Sequence, residues 1–384
     1  MKKRYIMAPG PTEIPAEVLA EAGKPIMHHR TPQFRKILTQ VEEDLKYLMQ
    51  TKETVQVITS SGTGAMEAAA ANTINPKDKV IVASIGHFGK RWASIAEIYG
   101  AEVIKVEKEW GEALDPQDVK KALEENKDAK AVFTTHNETS TGVYNDIEAI
   151  GNVVKDYDAV LIVDGISGIG ALPFYTDKWN VDMAVAGSQK GMMIPPGIAT
   201  ITVSPKAWEL VKQNKQPKFY FDLKKYEKSM TEEKLGNTPY TPGASLIMQL
   251  GASLNIIKEE TLEKVWERHE KLAEATRAGV KALGLTLFAK KNASNVLTSV
   301  YVPEGVDGGA LMKKIRDDYG ISMAGGQGSF KGKIFRIGHL GYTDRFDPIM
   351  GVAASEMALK ELGADIEIGK GVKAVMEKLM ELKY

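Results

Sequence analysis

The sequence contains no cysteine, which excludes disulfides, thiolate-ligated metal centres and a cysteine nucleophile. Nor does it carry an excess of either charge. Lysine plus arginine and aspartate plus glutamate number 50 each among 384 residues, so no net field draws the chain to nucleic acid or to an anionic membrane. A small-molecule substrate suits that neutrality. No apolar run approaches the roughly 18 uninterrupted residues of a membrane span. The basic start Met1-Lys2-Lys3-Arg4-Tyr5-Ile6-Met7 reaches Pro9-Gly10-Pro11 before a signal-peptide core could form, so the expectation is a soluble, cytoplasmic protein. Histidines at metal-binding spacing are missing too. His28 and His29 are adjacent, and neighbouring side chains on an extended segment point apart. His339, close behind Arg336, reads as a structural histidine, and there is no internal repeat or low-complexity linker.

What is present is enough apolar residue, 43%, to fill two cores, and the length exceeds what one core usually organises. From about 54 to 203, short apolar runs alternate with helical patterns, as in a parallel sheet covered by helices. The expected strands are Val55 to Thr59, Val80 to Ala83, Val103 to Val106, Ala131 to Thr134, Val160 to Val163, Met183 to Ala186 and Ile198 to Val203. Helices are expected over Ala65 to Thr73, Lys90 to Tyr99, Asp118 to Glu125 and Ile147 to Tyr157. The fold class is therefore α/β, with a mainly parallel seven-stranded sheet between helices. Ahead of it, Phe34, Ile37, Leu38, Val41, Leu45 and Leu48 recur at helical spacing behind the start signal Thr31-Pro32.

After Pro242 the pattern changes to helices at Leu246 to Ile257, Leu262 to Leu283, Gly309 to Tyr319, Pro348 to Leu362 and Gly371 to Leu382. Strands are expected at Leu285 to Phe288, Val296 to Val302 and Ile334 to Ile337. This implies a smaller α+β domain. The expected division is an N-terminal segment, 1–20, that contributes to the active site or small domain, then a large domain, 21–257, and a small one, 258–384.

Three features fall where strands of such a sheet end, and open α/β sheets bind ligands at those carboxyl ends. Thr59-Ser60-Ser61-Gly62-Thr63-Gly64 follows a strand and opens a helix, offering backbone N–H groups and hydroxyls to a phosphate on the positive end of the helix dipole. It lacks the lysine of a nucleotide P-loop, and a turn that simply caps a helix is the plainer reading. Asp164 ends the apolar run Val160 to Val163, where burial makes a charge costly unless paired; a turn-capping aspartate is the alternative. Lys190 follows Met183 to Gln189 among the small or apolar Gly187, Ser188, Gly191, Met192 and Met193, a setting in which an ammonium pKa can fall and the amine become a nucleophile. A lone lysine after a strand is ordinarily solvated. Phosphate cradle, carboxylate and lysine together are what a pyridoxal-phosphate site requires.

With these residues the sequence resembles the class V aminotransferases, within the fold-type I pyridoxal-phosphate enzymes, and most of all the alanine/serine:glyoxylate or pyruvate branch. The resemblance runs through Pro9-Gly10-Pro11-Thr12, His29-Arg30, Ser61-Gly62-Thr63-Gly64 with Glu67, Gly86-His87-Phe88-Gly89 and His136-Asn137-Glu138-Thr139-Ser140-Thr141-Gly142. It continues in Val163-Asp164, Ser188-Gln189-Lys190, Thr238-Pro239-Tyr240-Thr241-Pro242 and Phe335-Arg336-Ile337-Gly338. It implies that Lys190 holds the cofactor as a Schiff base and shuttles the substrate proton, while Asp164 pairs with the pyridine nitrogen. Ser61, Gly62, Thr63 and Gln189 match phosphate-binding positions, Ser140 one near the ring hydroxyl and the substrate, and Ile166 one against a ring face. Phe88 stands where the family stacks an aromatic, often tryptophan. Thr241, with Tyr240 or Thr238, matches a segment that reaches the partner's phosphate in a homodimer with shared active sites. Arg336 would bind the substrate α-carboxylate bidentately, although strand alternation alone leaves an outward-facing arginine equally open, and Gly10 would border the substrate.

The activity so implied moves the amino group of a small L-amino acid to a 2-oxo acid such as glyoxylate or pyruvate. A phosphonate- or phosphoserine-type donor, an elimination reaction and a non-catalytic binding module are the competing readings. A cysteine desulfurase would need the thiol that this chain lacks. The glycine-rich stretch within Ile321 to Phe330 reads as a mobile cover, or as an ordinary connection.

Overall fold

The computed structural model describes residues 3–233 and 236–384; Met1 and Lys2 of the basic start lie outside them. Seven apolar runs form one sheet: β1 (Val55–Ile58), β2 (Lys79–Ser84), β3 (Glu102–Glu107), β4 (Ala131–Thr135), β5 (Val160–Asp164), β6 (Met183–Gly187) and β7 (Ala199–Thr202). Their order across the sheet is β1-β7-β6-β5-β4-β2-β3. β7 runs antiparallel to both neighbours and the other pairings are parallel. Alternation explains how the sheet holds two layers of helix. Val132 and Leu161 face one apolar core, with Phe34, Leu38 and Leu45 of the helix Pro32–Met49, whereas Ala131, Phe133, Val160 and Ile162 face the other, with Met66 and Trp92. The edge strand β3 keeps its glutamates in solvent, which blunts an edge that could otherwise pair with another chain.

The helix Pro32–Met49 starts as its sequence indicates, with the Thr31 side chain accepting from Phe34 N and proline in the first turn. His87–Ile98 starts earlier than its apolar spacing suggests. The cause lies 50 residues away, where Ser140 and Glu138 accept from its first backbone N–H groups.

A second sheet has β8 (Leu297–Tyr301), β9 (Ala324–Gly325) and β10 (Ile334–Gly338) in the order β8-β10-β9, antiparallel throughout. Its core includes Leu272, Val300, Leu311, Phe335, Ile337, Val352 and Val375. The long helix Leu262–Ala282 packs its first turns, Leu262 to Trp266, on the large core and Leu272 onward on the small one. The run Leu285 to Phe288, expected as a strand, makes a single bridge, Leu287 to Val300. Around that bridge Phe288 N donates to Ser299 O and Tyr301 N to Thr286 O, both at 2.9 Å, and the chain then leaves, with Lys290 N donating to Gly111 O at 2.9 Å.

The N-terminal segment joins this second unit. Tyr5–Ile6 pairs in parallel with Ile321–Ser322, Gly338 N donates to Met7 O at 2.6 Å, and Met7 is buried in the small core. The stretch 321–330 is built in rather than left as a free cover. It contributes β9, and Phe330 packs against Trp110 and Phe288 with ring centroids 5.7 and 4.6 Å apart. No described helix is long and apolar enough to cross a membrane.

Candidate active site

Four parallel strands end around one cavity of about 200 Å³. β1 leads through Ser61 into the helix Gly62–Thr73, β5 ends on Asp164, β6 leads to Gln189 and Lys190, and β2 leads to the helix that begins at His87. Ser61, Gly62, Thr63, Phe88, Asp164, Ile166, Gln189 and Lys190 all line it, so eight residues selected from the sequence converge. Gly62 is required by closeness, since a Cβ there would lie 2.6 Å from Ile166 Cδ1. The cavity also takes in Arg91, Asn137, Thr139 and Ser167, to which no role attached in the sequence. Their signal is weak because each becomes relevant only when distant strands are adjacent. A larger cavity, about 550 Å³ beside Tyr175, Trp179 and Trp266, contains none of the selected residues; chemistry, not size, selects the smaller one.

Asp164 is 4% exposed and accepts one hydrogen bond, from Ile166 N at 2.9 Å. Burial pushes its carboxyl up to about 7, assisted by Glu138 and opposed by Arg91 and Lys190. A buried carboxylate without a cation in contact is suited to a positively charged ring N–H. Lys190 is displaced the opposite way, down to about 8, chiefly by burial, with Asp164 raising it and Arg336 lowering it. Its ammonium donates to the carbonyl of Pro9. Gly10, φ +121°, leaves space for its chain; a Cβ at Gly10 would lie 2.4 Å from Lys190 Cδ. Gly10 therefore borders the lysine, and it does not line the cavity.

At the other end, Arg91 Nη1 donates to Thr63 Oγ1 at 2.9 Å, and its guanidinium sits 4.8 Å from the centroid of the Phe88 ring. The N-terminus of the helix Gly62–Thr73 and the Ser61 and Thr63 side chains face this end, where an anion would be held. Gln189 Oε1 has no partner. Phosphate cradle, half-buried aromatic, acid and amine at the wall of one cavity fit pyridoxal phosphate.

Besides Gly10, four selected residues lie outside the cavity lining. Ser140 is fully buried, accepts from His87 N at 3.0 Å and donates to Glu138 Oε1 at 2.5 Å. Its proton is committed, so it can only accept from a neighbour. Arg336 is 5% exposed; its Nη1 donates to Thr139 O at 2.6 Å, and Nε and Nη2 to Gly325 O at 3.0 and 2.6 Å. The buried-face reading of this strand is therefore the one realised. Burial lowers the guanidinium to about 10, and two carbonyls without a carboxylate leave it suited to an anion. Thr241 is exposed, and Tyr240 packs on Tyr220 with centroids 5.2 Å apart while donating to Phe219 O at 2.6 Å. Thr238 donates to Tyr240 O at 2.7 Å and is held through its own carbonyl by Arg30. Neither Tyr240 nor Thr241 reaches the cavity of its own chain. His339 bonds Thr298 at 3.0 Å, as a structural histidine does. Among the described residues no group of three or more histidines, aspartates or glutamates could hold a metal.

Comparison with known proteins agrees with this site. The family model of class-V aminotransferases matches residues 4–339. The chain is 38% identical over 379 residues to the L-aspartate–glyoxylate aminotransferase of Paracoccus denitrificans, covering 97% of this chain and 95% of that one. It is 41% identical over 381 residues to a protein of Synechococcus sp. named as the small subunit of a soluble hydrogenase, covering 98% of each. The crystal structure of ureidoglycine-glyoxylate aminotransferase from Bacillus subtilis superposes with a TM-score of 0.95 at 34% identity, covering 99% of both chains. The chain thus belongs to the class-V aminotransferases, enzymes of fold type I that depend on pyridoxal phosphate.

Proposed function

We propose that the enzyme takes the amino group of a small L-amino acid, alanine, serine or aspartate, and passes it to a 2-oxo acid such as glyoxylate or pyruvate. The observation that carries this reading is the opposed pair on one cavity wall, Lys190 held down near 8 and Asp164 held up near 7. Pyridoxal phosphate supplies an electron sink for the charge left when the substrate Cα loses its proton. Ser61, Gly62, Thr63 and Gln189 would hold its phosphate, Phe88 and Ile166 would pack on its ring, and Asp164 would keep the ring nitrogen protonated. Lys190, its pKa lowered chiefly by burial, moves the proton from the substrate Cα. Arg336 receives the substrate carboxylate, for which the two carbonyls now on its fork are replaceable partners. The relatives named for glyoxylate support that acceptor.

The working unit in this reading is a homodimer in the cytoplasm. Support for the dimer is that Tyr240 and Thr241 lie away from their own cavity with Thr241 exposed, as expected of residues offered to a partner's phosphate. A hydrogenase role, suggested by the name of one relative, meets a chain with no cysteine to ligate an iron–sulfur or similar centre.

The deciding experiment is a kinetic panel of amino donors against glyoxylate, pyruvate, oxaloacetate and 2-oxoglutarate. Saturable transfer from alanine, serine or aspartate to glyoxylate or pyruvate is expected. Turnover confined to phosphorylated or phosphonate donors, or elimination without an acceptor, would replace this assignment.

A further inference from the structure

Glu138 does not line the cavity. Its side chain is nevertheless completely buried, and burying a carboxylate is costly unless every lone pair is used. Here they are used on behalf of other residues. Oε2 accepts from Phe88 N at 3.0 Å and Gly89 N at 2.9 Å. Oε1 accepts from Ser140 N at 3.1 Å and Ser140 Oγ at 2.5 Å. The Ser140 hydroxyl in turn accepts from His87 N. One carboxylate, with its serine, thus closes the first turn of the helix that carries Phe88, where the helix dipole favours negative charge. The fit is tight, because a Cβ on Gly86 would lie 2.5 Å from Glu138 Cγ and from Ser140 Oγ.

We propose that Glu138 is a positioning residue that sets Phe88 against the cofactor ring. The alternative, a purely structural cap, would stabilise the helix without caring which side chain it presents. Two features favour positioning. The bonds fall on the N–H of Phe88 itself and on its neighbours, so the ring's place is set from the backbone. Phe88 is also gripped from the side-chain end by Arg91, which leaves little freedom once both are in place. Glutamine is nearly the same shape as glutamate but must put an NH2 where one oxygen accepts two donors, so Glu138→Gln breaks one side of the clamp.

This inference rests on Phe88 as the ring-stacking residue, and the test separates the two. Binding of pyridoxal phosphate to the full-length apoenzyme is measured by equilibrium dialysis for the wild type, Glu138→Gln, Phe88→Ala and the double variant, with thermal unfolding followed in parallel. Glu138→Gln should weaken binding by about ten- to a hundredfold, the range for a broken buried bond to a charged group. In the Phe88→Ala background the same change should cost less than about threefold, since residues acting through one another are not additive. A structural cap would cost the same in both backgrounds, which would overturn the proposal, as would unchanged binding in Glu138→Gln while Phe88→Ala binds weakly. Unchanged binding in Phe88→Ala would instead overturn the stacking role itself. If Glu138→Gln does not fold, Ser140→Ala retains the carboxylate and its three backbone donors. Its loss of about two- to tenfold should likewise vanish without Phe88, and equal losses in both backgrounds would defeat the inference.

Discussion

Gly10 and Lys190, 180 positions apart, are packed so closely that a single methyl on Gly10 would lie 2.4 Å from Cδ and 2.5 Å from Nζ of the lysine. The N-terminal segment thereby meets the reactive amine, and the same segment is tied to the strand of Arg336 through the bond from Gly338 N to Met7 O. Gly10→Ala must move the lysine or the segment, and its φ of +121° already disfavours a side chain. We expect kcat to fall by about a hundredfold, the scale of an ångström-sized misplacement, with the fold retained. Steady-state kinetics and a melting curve decide it, and a fully active alanine variant would contradict the packing.

Lys190→Met should abolish borohydride trapping of the cofactor on the protein and cut turnover by at least about a hundredfold, the lower range for a lost acid–base group. It should also stabilise the cofactor-free protein at neutral pH. With its pKa lowered from 10.5 to about 8, Lys190 is charged in both folded and unfolded chains at pH 7, so the folded state bears the full burial cost. That cost is on the order of 3 kcal/mol. Between about 8 and 10.5 only the unfolded lysine remains protonated, so stability conferred by this site rises with pH. The advantage of methionine should therefore shrink over that window in denaturant titrations.

Asp164 predicts the reverse slope. Its carboxyl is raised from 3.8 to about 7 in the cofactor-free protein, so the folded state keeps a proton that the unfolded chain has lost. Its contribution to stability is present below about pH 4 and is lost as pH rises through 7. Asp164→Asn should flatten that decline when unfolding is followed from pH 4 to 8. The same variant should bind pyridoxal phosphate yet turn over far more slowly, since an amide holds no charge opposite the ring nitrogen. An unchanged stability profile would show that the carboxyl is not desolvated.

Arg336→Lys retains the charge but not the planar fork. KM for the amino donor should rise by about ten- to a hundredfold, as for loss of a hydrogen bond to a charged group, while cofactor affinity stays near that of the wild type. Equal losses in cofactor binding would place Arg336 with the cofactor rather than with the substrate carboxylate.

Much of this architecture is legible along the chain. β1 to β7 sit on the apolar runs that mark them; β2, β4, β5 and β6 do so because a buried parallel strand needs both faces apolar and so writes its extent locally. Leu285 to Phe288 shows the limit: of similar apolar character, it makes a single bridge, Leu287 to Val300, before the chain turns to Gly111. The site divides in the same manner. Ser61, Asp164 and Lys190 stand out because each follows a strand in a revealing neighbourhood. Arg91 and Glu138 do not, since an arginine and a glutamate become informative only when Thr63, Phe88 and Ser140 are beside them. Ser140 matched a cofactor-binding position, and only the fold shows that its proton goes to Glu138 while its oxygen accepts from the N–H of His87.

From the sequence alone follow the layered α/β class and the places where Ser61, Asp164 and Lys190 end apolar strands, since composition and period decide which segments must be buried; the roles proposed for those three came from the family resemblance. The tertiary structure alone decides how those groups behave. Burial by distant segments moves Asp164 and Lys190 towards each other in pKa, and the fold turns Arg336 inward onto Thr139 and Gly325. Desolvation is a property of everything packed around a group, and no local stretch of chain carries it.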